Sequence, residues 1–172
     1  MSIFDKLMNL VPVSRVRRNH GLEHATLNIL SRGYPHTTMG GHSDFNGFWI
    51  IGNIPTTAVE EAVAQALGRL QGGETDLAIH ANCGTNFVAA GTLAGLAAWL
   101  GMLGSDQRWR KKLERLPLVI SLATVALVFA QPLGQFLQAR VTTSSEPHDL
   151  QITQIITQKR GTLPAHRILT QG

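Results

Sequence analysis

The sequence of 172 residues has one cysteine, one tyrosine and few charged side chains, which make up 15% of the chain. A single cysteine excludes an internal disulfide bond, so Cys83 must be a packed thiol, a reactive group or a metal ligand. The glycine pair at residues 40 and 41 is not followed by G-K-[ST], which excludes a phosphate-binding loop of that type. Neither a nucleic-acid-binding motif nor an internal repeat is evident.

Charged residues are missing altogether from residues 83–104 and 116–139, stretches of 22 and 24 residues. A helix rises about 1.5 Å per residue, so each stretch is long enough to cross a hydrocarbon core of ~30 Å. The alternative is a pair of buried helices in a soluble protein, which would need a larger apolar core than the remaining residues can build. We therefore predict two transmembrane helices.

The two predicted spans form a hairpin whose loop, residues 105–115, carries five basic and two acidic residues. Trp109 beside these charges is typical of an anchor at the membrane interface. The Gly91-x-x-x-Gly95 pattern predicts a face on which a partner helix could pack closely. The formal net charge of +4 fits a surface that meets the anionic lipids of a bilayer better than one that binds nucleic acid.

The remaining segments predict an α+β domain that the hairpin interrupts. Its N-terminal part is residues 1–82, the hairpin is residues 83–139, and residues 140–172 form a strand pair that packs on the N-terminal part. Met1–Val13 lacks the features of a signal peptide and resembles an amphipathic starter segment. Sequence patterns further predict helices over 15–31 and 58–70, strands around a turn at 44–47, a short strand over 76–80, and strands at 150–157 and 166–169.

The pentapeptide His20-Gly21-Leu22-Glu23-His24 carries the clearest chemical signal. On a helix, an H-x-x-E-H run places two imidazoles one turn apart on the same face, with a carboxylate beside the second. This is the inverted form of H-E-x-x-H. It predicts a zinc ion held by His20 and His24, with Glu23 as the general base that activates water.

Such a zinc ion needs at least one further ligand, and His80 and Cys83 are the best candidates. Three protein ligands would leave a position for water and a catalytic site, whereas four would make a closed structural site. Both outcomes stay open. Glu60 or Glu61 could supply a carboxylate ligand, although a solvated helix face explains them better. Amide donors for an oxyanion could come from Asn82 or Asn86.

Each of these residues also has an ordinary structural interpretation. Glu23 could pair with Arg17 or Arg18 on the helix surface. His80 could be a polar residue at the membrane interface, and Cys83 a buried, inert thiol. The presence of both motifs in one chain favours the metal site.

The two motifs also resemble those of a known group. H-G-x-E-H at residues 20–24 and H-x-x-C-G-T-[NS]-F at residues 80–87 are similar to motifs of the YqhQ-like family and its small relatives, which are uncharacterised bacterial membrane proteins. The resemblance covers roughly residues 18–104. It implies that the two motifs act together, and it implies no substrate.

We expect a multi-pass protein of the bacterial inner membrane that acts as a zinc-dependent hydrolase, in particular a peptidase near the bilayer surface. The alternative is a non-catalytic scaffold or assembly protein in which the same residues form a structural metal or hydrogen-bond site. The basic residues of loop 105–115 favour a cytoplasmic loop, which would place the N-terminal domain on the other side of the membrane. The missing export signal favours a cytoplasmic N-terminal domain instead. Our expectation is a cytoplasmic soluble domain.

Overall fold

The computed structural model describes residues 3–104, 108–161 and 163–172, with Arg160 described by its backbone only. Over these residues the chain forms six helices and one four-stranded antiparallel sheet, which confirms the predicted α+β class. Met1 and Ser2 of the predicted starter segment and residues 105–107 of the predicted basic loop lie outside the described residues.

The elements follow one another in a simple order along the chain. The helices are α1 (Ile3–Met8), α2 (Val11–Gly33), α3 (Thr56–Gln71), α4 (Gly84–Met102), α5 (Trp109–Glu114) and α6 (Leu116–Leu137). The strands are β1 (Met39–Asp44), β2 (Gly47–Gly52), β3 (Gln151–Arg160) and β4 (Leu163–Gln171). The chain divides into two compact units: the first combines Met1–His80 with Ala139–Gly172, and the second is Ala81–Gln138.

Helix α2 supplies one wall of the core of the first unit. Pro12 lies at its first turn, where the missing N–H of proline leaves no helical hydrogen bond unmade. Apolar residues recur along one face of α2 and are buried against α3 and the sheet. Those with at most 4% of their surface exposed are Leu22, Ala25, Leu27 and Leu30.

The sheet has the strand order β1-β2-β4-β3, so the last strand in the chain lies between β2 and β3. Phe48 and Ile50 of β2 and Ile168 of β4 are fully buried in the same core. Because side chains alternate between the faces of a strand, Trp49 lies on the opposite face, where the Arg167 guanidinium is 5.3 Å from its ring centroid. Strands β1 and β3 form the two edges.

Polar side chains tie α2 to the sheet. Fully buried Asn19 donates from Nδ2 to the Asp44 carbonyl oxygen at 2.8 Å and accepts at Oδ1 from the Thr170 hydroxyl at 2.7 Å. Arg167 donates to the Asp44 carboxylate at 2.7 Å. Burial raises the pKa of Asp44, but the hydrogen bonds from Arg167 and from the Asn46 N–H outweigh it and lower the pKa. The turn between β1 and β2 is thereby fixed to the helix.

The predicted strand over 76–80 is wrong, because Thr75–Ala78 forms a 3-10 helix. Asn28 of α2 donates to the carbonyl oxygens of Leu77 and Ile79, and His24 bonds that of Ala78. Side chains of α2 therefore satisfy carbonyl groups that a neighbouring strand would satisfy in a sheet.

The second unit contains the two helices that are long and apolar enough to cross a membrane, α4 and α6. Their large side chains point outward, with exposed fractions of 61% for Trp99, 66% for Val128 and 65% for Phe129. The core helix of a soluble protein would bury such side chains, so both helices present apolar surface that lipid can cover. Pro132 lies inside α6, which continues past it to Leu137.

Small residues and a polar pair hold α4 against α6. A Cβ at Gly101 would lie 3.0 Å from Val119, and one at Gly134 would overlap the Asn86 side chain. The Asn86 oxygen accepts a hydrogen bond from Gln138 Nε2 at 2.7 Å. Gly91 and Gly95 are different, since no described atom lies within 4 Å of a Cβ built there. The described contacts of the hairpin therefore do not use the Gly91-x-x-x-Gly95 face.

We expect Gly47→Ala to lower the free energy of unfolding by about 3 kcal/mol, the upper end of the cost of a strained backbone position. Gly47 has a φ of +142°, and a Cβ there would overlap the Ile168 carbonyl oxygen. Urea unfolding of the full chain in detergent, followed by tryptophan fluorescence, measures the change. Gly40→Ala is the matched control, because a Cβ at Gly40 meets nothing within 4 Å. Equal effects of the two substitutions would contradict this account of the turn.

Candidate metal centre

Helix α2 brings three of the predicted site residues together. His20 and His24 are one turn apart, with ring centroids separated by 4.2 Å and ligand nitrogens within 4.8 Å of each other. Glu23 and His24 are 3% and 2% exposed. The helix predicted from the H-x-x-E-H run therefore places both imidazoles where they could bind one metal ion.

His80 joins this pair from the end of the 3-10 helix. Its ring centroid lies 5.7 Å from that of His24, and the two ring planes make an angle of 41°. The first unit thus contains three neighbouring imidazole rings, those of His20, His24 and His80, which we call the imidazole cluster.

Backbone carbonyl groups fix the tautomers of the two histidines on α2. His20 Nδ1 lies 2.9 Å from the Thr142 oxygen, and His24 Nδ1 lies 2.8 Å from the Ala78 oxygen. A carbonyl oxygen can only accept a hydrogen bond, so each Nδ1 carries the proton and donates. In the neutral ring the lone pair is then on Nε2, the nitrogen that would bind a metal.

Asn28 fixes the tautomer of His80 in the same way. The amide nitrogen of Asn28 donates to the Leu77 and Ile79 oxygens at 3.0 and 2.9 Å, which sets the orientation of the amide. Its oxygen therefore faces His80 Nδ1, at 2.8 Å, and accepts the proton from it. All three rings of the imidazole cluster have the tautomer that zinc-binding histidines adopt when an outer partner holds them.

Strand β1 holds the carboxylate of Glu23. The Ser43 hydroxyl donates to Glu23 Oε2, and a Cβ at Gly41 would overlap the same carboxylate. Arg18, one of the surface partners considered for Glu23, instead donates to Asp149 at 2.6 Å, and that bond lowers the pKa of Asp149.

Gly21 of the pentapeptide also has a role in packing. A Cβ at position 21 would overlap the Ser144 carbonyl oxygen, and the Ser144 N–H donates to the Arg17 oxygen at 2.9 Å. Glycine therefore lets the chain segment around Ser144 lie directly on α2.

The other predicted site residues belong to other elements of the chain. Cys83 belongs to the second unit, where it is the N-cap residue of α4, and its role as a ligand stays a prediction. Glu60 and Glu61 are both exposed on α3. Asn86 donates from Nδ2 to the Ala81 oxygen at 2.7 Å and so folds back on the turn before α4. The oxyanion role of Asn82 or Asn86 also stays a prediction.

Three residues of the site were not predicted from the sequence: Asn28, Gly41 and Ser43. The spacing along α2 could have indicated Asn28, because it follows His24 by four residues, as His24 follows His20. All three residues therefore share one face of the helix. No sequence pattern could have indicated Gly41 and Ser43, because only tertiary packing brings β1 to Glu23.

The class of protein is therefore an α+β domain with an inserted apolar helical hairpin. Its distinguishing feature is an imidazole cluster formed by α2 and His80. Residues 15–155 match a family described as a domain of unknown function, DUF6391, and the chain belongs to this family. The predicted membership of an uncharacterised family is confirmed. An uncharacterized protein of Picosynechococcus is 36% identical over 143 residues, an alignment that covers 75% of this chain and 66% of that protein. No solved structure matches the chain.

We expect zinc-free protein at pH 8 to carry a ring proton on Nδ1 of His20, His24 and His80, because each Nδ1 has an oxygen acceptor. Long-range ¹H–¹⁵N correlation spectra of the imidazole rings distinguish the two tautomers. His36, which is exposed, provides the control and should show an exchange-averaged pattern. A proton on Nε2 of any of the three would contradict the assigned hydrogen bonds.

Proposed function

We propose that this protein is a membrane-anchored zinc-dependent hydrolase that acts on peptides near the bilayer surface. The observation that carries the proposal is the imidazole cluster, in which every Nδ1 is held by an oxygen acceptor, so that Nε2 is the nitrogen that each ring would offer to a metal. His20 and His24 would each supply one nitrogen ligand to a catalytic zinc. A nitrogen of His80 or the thiolate of Cys83 would be the third protein ligand.

Each residue then has a distinct task. A bound zinc ion lowers the pKa of the water molecule that it binds, and this is the chemistry the metal would supply. Glu23 would take a proton from the attacking water as the new carbon–oxygen bond forms at the substrate carbonyl. Glu23 would then give this proton to the amide nitrogen as the carbon–nitrogen bond breaks, which would yield a carboxylic acid and an amine. The Ser43 hydroxyl orients the Glu23 carboxylate throughout.

The two apolar helices support a membrane location for the protein. Two helices of membrane-crossing length support an anchored, multi-pass protein of the bacterial inner membrane, with the basic residues near α5 at a lipid surface. We propose a cytoplasmic position for the first unit, and kinship with the YqhQ-like family through the two shared motifs.

The burial of the site favours a second function. Glu23 and His24 are 3% and 2% exposed, and a closed site of four ligands would be buried in this way. In that case the protein is a non-catalytic scaffold or assembly protein and the metal stabilises its fold. The measurement that separates the two functions is turnover, since both bind zinc.

We expect purified protein to contain about one zinc ion per chain, and Glu23→Gln to keep the zinc while peptide hydrolysis falls by about 10²- to 10⁴-fold, the usual contribution of a general base. Elemental analysis and a mixture of internally quenched peptides measure these quantities. Glu60→Gln is the control, because Glu60 is exposed on α3.

The outcomes of this experiment are distinct. Zinc without hydrolysis in the unsubstituted protein would favour the scaffold. Protein that takes up no zinc from solution would contradict the hydrolase and the structural metal site, and would leave a scaffold in which the same residues form a hydrogen-bond site. Full activity of Glu23→Gln would remove Glu23 from the mechanism.

Asn28→Ala should weaken zinc binding by about 10- to 100-fold, the usual effect of losing an outer partner of a metal-binding histidine. The substitution removes the acceptor that orients His80. Competition with a fluorescent zinc chelator measures the affinity. Ser31→Ala is the matched control, because the exposed Ser31 hydroxyl bonds only the Asn28 backbone oxygen among its described partners. Equal affinities of the two variants would exclude His80 as a ligand.

A further inference from the structure

Strand β1 is an edge strand in which two of the six residues are glycines. It pairs with β2 on one side, and the described residues place no strand on its other side. Gly40, Gly41 and His42 are exposed. Backbone N–H and C=O groups along such an edge can pair with a further extended chain.

The register shows which residues direct their backbone groups outward. The Thr170 N–H donates to the Asn46 oxygen, so Asn46 and every second residue after it pair with β4. Gly47, Trp49 and Ile51 must then pair with β1, where their partners are Asp44, His42 and Gly40. The outward backbone groups of β1 belong to the alternate residues, which are Met39, Gly41 and Ser43.

Two of these residues are the ones that contact Glu23. Ser43 donates its hydroxyl to the Glu23 carboxylate, and the missing side chain of Gly41 makes room for the same group. A chain paired with the outer edge of β1 at Gly41 and Ser43 would therefore run directly beside the carboxylate. Gly40 and Gly41 would also let its backbone approach closely.

From this juxtaposition we infer that an extended peptide segment binds along β1 as an added strand, and that this segment is the substrate. The inference rests on the proposed hydrolase function and names its substrate class: an unfolded or extended polypeptide recognised by its main chain. Main-chain hydrogen bonds give affinity with little dependence on sequence, whereas pockets for side chains would give specificity.

A second copy of this protein is a poorer occupant of the same edge. If two β1 strands paired about a two-fold axis through the edge, both α2 helices would lie on the same face of the joined sheet. Two buried Glu23 carboxylates would then lie close together, and their repulsion would oppose the pairing. A substrate peptide brings no fixed charge to that position.

The test uses the full-length Glu23→Gln protein in detergent, so that binding is observed without cleavage. The probe is a fluorescein-labelled mixture of nonapeptides, and its counterpart is the same mixture with every second backbone amide methylated. Fluorescence anisotropy should show at least tenfold weaker binding of the methylated mixture, because methylation removes the main-chain donors. Equal binding of both mixtures, or binding of neither, would overturn the inference.

Amide hydrogen exchange in the same samples locates the bound peptide. The N–H groups of Gly41 and Ser43 should exchange at least tenfold more slowly with the unmethylated mixture, while that of His42, already paired with β2, should change little. Protection of Gly41 and Ser43 that depends on protein concentration without peptide would show a second copy on the edge and overturn the inference.

The two proposals fail separately. Peptide binding to β1 without hydrolysis by the unsubstituted protein would contradict the hydrolase and leave the binding edge in place. Hydrolysis with equal cleavage of methylated and unmethylated mixtures would contradict the edge alone.

Discussion

The first unit depends on hydrogen bonds from side chains of α2 to backbone carbonyl groups of segments that have no strand partner. Two segments are held in this way, the 3-10 helix with its continuation to His80 and the stretch around Thr142. The donors on α2 are Arg17, His20, His24 and Asn28. A buried carbonyl group without a partner destabilises a fold, so these bonds determine where both segments can lie. The segments are those that immediately precede and follow the inserted hairpin, and one helix therefore fixes both.

The same bonds prepare the candidate metal centre. His20 and His24 each use Nδ1 to hold a backbone carbonyl group, and His80 uses Nδ1 to bond the Asn28 side chain, so that Nε2 is the nitrogen that each ring would offer to a metal. The acceptor of the Nδ1 proton therefore sets the tautomer of each ring, and loss of that acceptor would change which nitrogen carries the lone pair. Because Glu23 is held in turn by Ser43, both the imidazoles and the carboxylate are oriented by the protein's own hydrogen bonds. Such preorganisation reduces the free-energy cost of assembling a site.

Much of this arrangement could be predicted from local patterns in the sequence. The α+β class, the two apolar helices and the helical H-x-x-E-H run all follow from periodicity, charge and spacing. The strand predicted over 76–80 was wrong because Leu77 and Ile79 produce the alternating apolar pattern of a strand. In the structure, hydrogen bonds from the side chains of Asn28 and His24 hold this segment instead. Contacts between Glu23 and β1 could not be predicted, since they depend on how the sheet packs on α2 and leave no trace in either segment alone.

The position of β4 in the middle of the sheet has a consequence for biosynthesis. The strand lies between β2 and β3, yet it is synthesised after both apolar helices. Until then α2, α3 and the β1–β2 hairpin lack the strand that completes their core, and β2 has an open edge. Domains of many proteins fold as units during synthesis, N-terminal part first. The N-terminal half therefore cannot complete its core until the residues of both apolar helices have been synthesised.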